Sequence, residues 1–174
     1  MNIKSEKNLC AWGLVSMILL SNIPLLGIIF SFGGLAAYVL GIIGLSNKLN
    51  NSEISKNYLI SLVIYITTIV IGVGIAFLLG ISTSRIPVAD YSLSPLFTAG
   101  IIILIFYVGF VAASFFEKKY LEIISKETKY QAFDLAGKII FWGTILFFIP
   151  SIIGRIIQIY AFFKVPENIE SQNQ

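Results

Sequence analysis

The chain has 174 residues, of which 57% are hydrophobic and 12% charged, with a mean hydropathy of +0.89 and a formal charge of +3. Soluble domains carry about 25% charged residues, so a globule surrounded by water is excluded, and so small a net charge gives no sign of a nucleic-acid partner. The expected class is an all-α, polytopic transmembrane helix bundle in a single integral membrane domain with the lipid bilayer as its first partner.

There is no histidine, and Cys10 is the one cysteine. An intrachain disulfide and a Cys/His metal site are both ruled out, and no cofactor is expected. Cys10 reads as a small apolar residue at a helix start.

Lys4 and Lys7 precede the apolar run Leu9–Leu20, an arrangement that imitates a signal peptide. No small-x-small cleavage site follows, and apolar sequence resumes beyond Pro24, so a retained first span is expected. No charge occurs from Asn8 to Asn47, 40 residues. As one helix that run would be about 60 Å long, twice the hydrocarbon thickness, so it must fold back. Ser21, Asn22 and Pro24 form the turn, because proline and the residue before it resist continued helix. Spans are expected at about 9–21 and 25–45. Gly33, Ala37 and Gly41, at steps of four in the second, are spaced to let another helix approach closely. The asparagine-rich stretch Ser46–Asn57 reads as a loop.

A third span is expected at about 58–81. Tyr58, Ser61, Tyr65 and Thr68 share one helical face that continues into Gly72, Ala76 and Gly80. Two readings stay open: a packing seam glued by hydrogen bonds of about 0.6 kcal/mol each, or the wall of a polar cavity. A loop with Arg85 and Asp90 leads to a fourth span at about 96–116, with Gly109 and Ala113 as a further small-residue pair.

The segment 117–138 alternates lysines (Lys118, Lys119, Lys126, Lys129) with an apolar face of Phe116, Tyr120, Ile123, Ile124 and Tyr130. It predicts a cytoplasmic amphipathic helix extending from the fourth span and lying partly on the membrane surface.

The last apolar run, 139–163, contains a single charge, Arg155. A charge within a membrane-length segment costs about 2.5–3.5 kcal/mol on insertion scales, so it faces protein, water or the interface. Thr144, Ser151, Arg155 and Gln158 follow at steps of 7, 4 and 3, one polar stripe if the run is one helix. Pro150 would kink that helix or turn it back. Arms of about 12 residues reach only about 18 Å, short of a core of about 30 Å, which favours one kinked span over a re-entrant hairpin. Asp90 is then the natural partner of Arg155, with Ser31 and Thr98 as polar neighbours by depth. The alternatives for Arg155 are a structural pair, snorkelling to the headgroups, or an anion or lipid-phosphate site.

With five spans, Lys4, Lys7, Lys48, Lys56 and the five lysines of 117–138 lie on one side, against Arg85 and Lys164 on the other. The expectation is a multi-pass protein of the cell membrane with a cytoplasmic N-terminus and an external C-terminus.

No enzyme is expected, since no carboxylate pair lies in a span and the glycines are spaced for packing, not for a phosphate loop. Two functions fit. One is a membrane scaffold or accessory subunit acting through helix packing, as a homo-oligomer or with other membrane subunits. The other is a small transporter or channel component for an anion or neutral solute, with Arg155 in its path.

The run Ala161-Phe162-Phe163-Lys164-Val165-Pro166-Glu167 resembles the closing signature of domain-of-unknown-function family 996, a prokaryotic membrane family. Trp12-Gly13, Ile23-Pro24-Leu25-Leu26-Gly27 and Leu40-Gly41-Ile42-Ile43-Gly44 agree with it. The resemblance implies a multispan membrane protein and supplies no catalytic residue or ligand. A weak internal echo is also present, Trp12-Gly13 with Ile23-Pro24 against Trp142-Gly143 with Ile149-Pro150.

Overall fold

The structure, a computed structural model, describes residues 1–24, 26–83, 94–146 and 149–169, with side chains given outside 79–83, 94–98 and 149. The described residues form six α-helices and no strand: α1 (Lys4–Ile18), α2 (Gly27–Lys48), α3 (Ser52–Thr83), α4 (Ser94–Thr128), α5 (Ala132–Ile145) and α6 (Ile149–Lys164). At 1.5 Å per residue, α3 and α4 reach about 48 and 52 Å, whereas α1, α5 and α6 reach only about 21 to 24 Å. Three helical stretches are long and apolar enough to cross a membrane, Gly27–Lys48, Ser52–Leu78 and Ala99–Thr128. Their apolar outer faces, among them Ile28, Ile29, Phe32, Val63, Val70, Phe77, Ile103 and Leu104, are exposed, which points to a membrane location.

Each helix packs against the next in the chain, and α6 returns to α1, so the six close a ring. The turn between α1 and α2 falls where Ser21, Asn22 and Pro24 place it. A short 3-10 turn, Leu20–Asn22, carries Ser21 Oγ onto the Met17 carbonyl (2.6 Å) and Asn22 Nδ2 onto that of Ile18 (2.9 Å), satisfying helix-end acceptors. The reversal from α2 to α3 uses Asn50 in the left-handed region (φ 52), and Lys129 (φ 56) does the same between α4 and α5. Asn51 Oδ1 then accepts the Glu53 N–H at the start of α3 (3.2 Å).

Close approach along the seams is set by glycine. A Cβ on Gly34 would meet the Gly13 carbonyl at 2.7 Å, and one on Gly41 would meet the Cys10 backbone nitrogen at 2.8 Å. Of the expected Gly33, Ala37 and Gly41, Gly41 lies at the contact with α1, where Gly34 and not Gly33 joins it. Gly33 is exposed with nothing within 4 Å, because the chosen face is one residue further round the helix. Between α3 and α4, Gly72 sits against the Phe106 ring and Gly109 against Thr68, while Ala113 is wholly buried and Ala76 is exposed. The surroundings of Gly80 lie outside the described residues.

Two further expectations are corrected. The run 139–163 is not one kinked span but two antiparallel helices, α5 and α6. Phe133 meets Phe162 edge-on (4.8 Å between ring centroids), and a Cβ on Gly143 would lie 2.3 Å from the Ser151 nitrogen. Pro150 is the second residue of α6, where its missing N–H is an orphan in any case, so it starts a helix and does not kink one. The short arms that told against a hairpin need not cross alone, since they lean on the ring.

The amphipathic segment does extend the fourth span, as expected, and turns its apolar face into the ring. Its first half is the last three turns of α4, and Tyr120, Leu121 and Ile124 pack into the ring. Its second half begins α5.

Finally, the extra reversal brings the termini together instead of leaving them on opposite sides. Met1 N and the Ile169 carbonyl are 2.9 Å apart, Ile3 N donates to the Glu167 carbonyl (2.8 Å), and buried Lys7 donates Nζ to the Val165 carbonyl (2.8 Å). Lys48, salt-bridged to Glu6 (2.9 Å), donates to the Asn2 carbonyl (2.8 Å). This polar end is filled by Ile3, Ile42, Leu45, Ile54, Leu121, Phe133 and Phe162.

Candidate functional site

Above that apolar plug, four helices send polar side chains into the ring. Arg155 on α6 meets Glu117 on α4 in a bidentate pair, Nη1 to Oε1 and Nη2 to Oε2, the latter at 2.7 Å. Glu117 is 3% exposed and the Arg155 side chain 28%. A bidentate fork is the strongest form of such a pair, and it neutralises both charges where water is scarce. Both oxygens of the carboxylate take further donors, Tyr120 Oη on Oε1 (3.1 Å) and Tyr65 Oη on Oε2 (3.4 Å).

Gln158, one turn beyond Arg155, is fully buried. Its amide nitrogen donates to Tyr38 Oη (2.7 Å) and Tyr120 Oη (3.0 Å), and its amide oxygen accepts from Arg155 Nη1 (3.2 Å). The two tyrosine hydroxyls are 2.8 Å apart. The proton directions are mutually consistent: Tyr38 donates to Tyr120, Tyr120 to Glu117, and Gln158 to both tyrosines. The rings stack edge-on, Tyr58 against Tyr38 (5.4 Å) and against Tyr120 (5.5 Å).

Of the four residues expected on one stripe, Arg155 and Gln158 meet within this network. Thr144 belongs to α5 and back-bonds to the Ile140 carbonyl (2.8 Å); Ser151 is half-buried at the α5–α6 contact. Ser31 back-bonds to the Gly27 carbonyl (2.8 Å). Asp90 lies outside the described residues, as do the surroundings of Thr98, and the acid that Arg155 meets is Glu117. In sequence Glu117 is the first residue of the polar segment 117–138, and two lysines follow it. Those lysines face outward, Lys119 over the rings of Phe115 and Phe116 (4.7 and 5.5 Å) and Lys118 over Phe141 (5.4 Å). The signal available was the spacing Ala113–Glu117–Tyr120–Ile124, a three-to-four step that puts Glu117 on the buried face.

Beside this network lies a cavity of about 260 Å³, lined from α1 by Leu14, Met17 and Ile18, from α2 by Leu35 and Tyr38, and from α3 by Tyr58 and Leu62. Ser61, Tyr65, Glu117, Tyr120 and Arg155 complete the lining. The hydroxyl face of α3 thus serves both purposes that its spacing left open. Ser61 Oγ donates to the Ala113 carbonyl (2.9 Å) as glue, and Tyr58 and Tyr65 wall the cavity. Among the described residues no group of three or more His, Cys, Asp or Glu side chains is placed to hold a metal ion.

The sequence model of a family described as "Protein of unknown function (DUF996)" matches residues 30–162. The chain belongs to this family. An uncharacterized protein of Methanocaldococcus jannaschii is 32% identical over 158 residues, covering 83% of this chain and 87% of that protein. No solved structure matches the chain. The matched region takes in Tyr38, Glu117, Tyr120, Arg155 and Gln158, so the whole polar network lies inside it.

Proposed function

We propose that this family member is a multi-pass scaffold or accessory subunit of the cell membrane, without enzymatic activity, working through helix packing with copies of itself or with other membrane subunits. The carrying observation is the use made of its buried charges. Arg155 and Glu117 neutralise each other, and Gln158, Tyr38 and Tyr120 brace them, so these groups tie α2, α4 and α6 into one unit. A paired arginine is a poor anion site, which speaks against an anion path through the ring. Lys4, Lys7, Lys48, Lys126, Lys129 and Lys164 gather at the end that holds both termini. By the positive-inside rule this end is cytoplasmic, and both termini with it. The outer lengths of α3 and α4, exposed at Val70, Val73, Phe77 and Ile103, offer the surface for lipid or neighbouring subunits.

The test is reconstitution of the purified chain into phospholipid vesicles. Chloride and glycerol should cross at the rate of empty vesicles. A flux well above that rate, lost in a folded Glu117→Gln/Arg155→Gln double variant, would replace the scaffold by a transporter.

A further inference from the structure

We infer that the cavity inside the ring is a binding site for a long-chain lipid ending in a neutral oxygen that accepts hydrogen bonds, such as an ester or ketone. Two observations carry this beyond a structural role. First, Tyr58 lines the cavity, is only 6% exposed, and its hydroxyl has no hydrogen-bond partner. A buried hydroxyl without a partner is unfavourable, and native structures rarely retain one without a reason. Its neighbours offer no relief, since Tyr38 and Tyr120 spend their hydroxyls on Gln158 and Glu117 and meet Tyr58 edge-on. Second, the guanidinium of Arg155, with five N–H donors, gives two to Glu117 and one to Gln158 and still lines the cavity.

The polar floor therefore presents donors, and the carboxylate of Glu117 is already saturated. An acceptor oxygen is the group that fits. A carboxylate or phosphate fits less well, because Glu117 has already neutralised Arg155. The rest of the lining is apolar: Leu14, Met17, Ile18, Leu35 and Leu62. Met17, Ile18, Leu35 and Leu62 are half-buried and lie on the side away from the polar end. A volume of about 260 Å³ is at the lower edge of small-molecule sites, enough for a head and the first part of a chain, with the remainder running into the bilayer. Tyr58 Oη is buried in this structure, so binding requires a side-chain adjustment in the cavity wall to reach it.

The experiment uses the full chain in lipid nanodiscs and a long-chain fatty acid methyl ester carrying a diazirine, with the free acid as comparator. Photolabelling should saturate and map to the segments bearing Leu14, Leu35 and Leu62. Unlabelled ester should compete it away better than the acid does. Tyr58→Phe should weaken it about fivefold, the worth of one hydrogen bond, and Leu62→Trp, which fills the cavity, should remove it. Labels scattered over the outward faces of α3 and α4 would overturn the site. So would equal labelling of wild type and Tyr58→Phe, or an acid that competes as well as the ester. Should Leu62→Trp fail to fold, Tyr58→Phe decides alone, since its hydroxyl makes no bond to lose.

Discussion

Arg155 and Glu117, 38 residues apart in the chain, share a two-pronged salt bridge across the interior of the ring. The pair gives α4 and α6 a direct tie, although α4 packs chiefly on α3 and α6 chiefly on α5. Removing one partner leaves the other charge buried alone, which costs about 3–5 kcal/mol, whereas replacing both is far milder. Arg155→Gln and Glu117→Gln should each lower thermal stability sharply in detergent, and the double variant should recover most of the loss. A double variant as unstable as the sum of the singles would show that the two side chains do not interact.

Tyr58 predicts the opposite sign. Its hydroxyl is buried without a partner, so Tyr58→Phe should stabilise the empty protein by about 1 kcal/mol. Tyr120→Phe, which removes a donor from Glu117 and an acceptor from Gln158, should destabilise by a similar or greater amount. Melting of both variants against wild type checks the pair of signs.

Two adjacent glycines of α2 separate packing from mere spacing. Gly34→Ala would drive a methyl group into the Gly13 carbonyl at 2.7 Å, and neither backbone can yield easily. Gly33→Ala meets nothing within 4 Å and improves helix propensity. The first should destabilise the α1–α2 hairpin and the second should be neutral or stabilising, as read by melting or limited proteolysis.

The terminal clamp makes a covalent test possible. Asn2 and Asn168 face each other in an antiparallel bridge with their side chains 3.3 Å apart. A double Asn2→Cys/Asn168→Cys variant should form a disulfide on mild oxidation, and reporters fused at either terminus should report the same side of the membrane. Opposite sides would restore the five-span topology and overturn the α5–α6 hairpin.

Composition and the uncharged run from Asn8 to Asn47 were enough to fix a helical membrane protein and the α1–α2 turn. Length against bilayer thickness, with the turn residues Ser21, Asn22 and Pro24, leaves no other way to place that chain. The same ruler misjudged 139–163, because it assumes each apolar run must cross unaided. Gly143 and Gly154 let α5 and α6 lie against each other, and that contact, invisible to a length count, makes a short hairpin stable. Helical spacing likewise put Arg155 and Gln158 on one face correctly but carried the stripe back to Thr144 through a turn it did not foresee.

Periodicity along one helix finds a face and not what lies opposite. That Glu117 meets Arg155, and that Tyr38 and Tyr120 meet Gln158, was decided only by tertiary structure. Those residues are 38 to 120 positions apart, and only closure of the ring sets which faces share its interior. The sequence determined the solvent of this protein, its helical class and one of its hairpins. The tertiary structure decided which charges are paired and where a cavity remains, because pairing and empty space are properties of several helices at once.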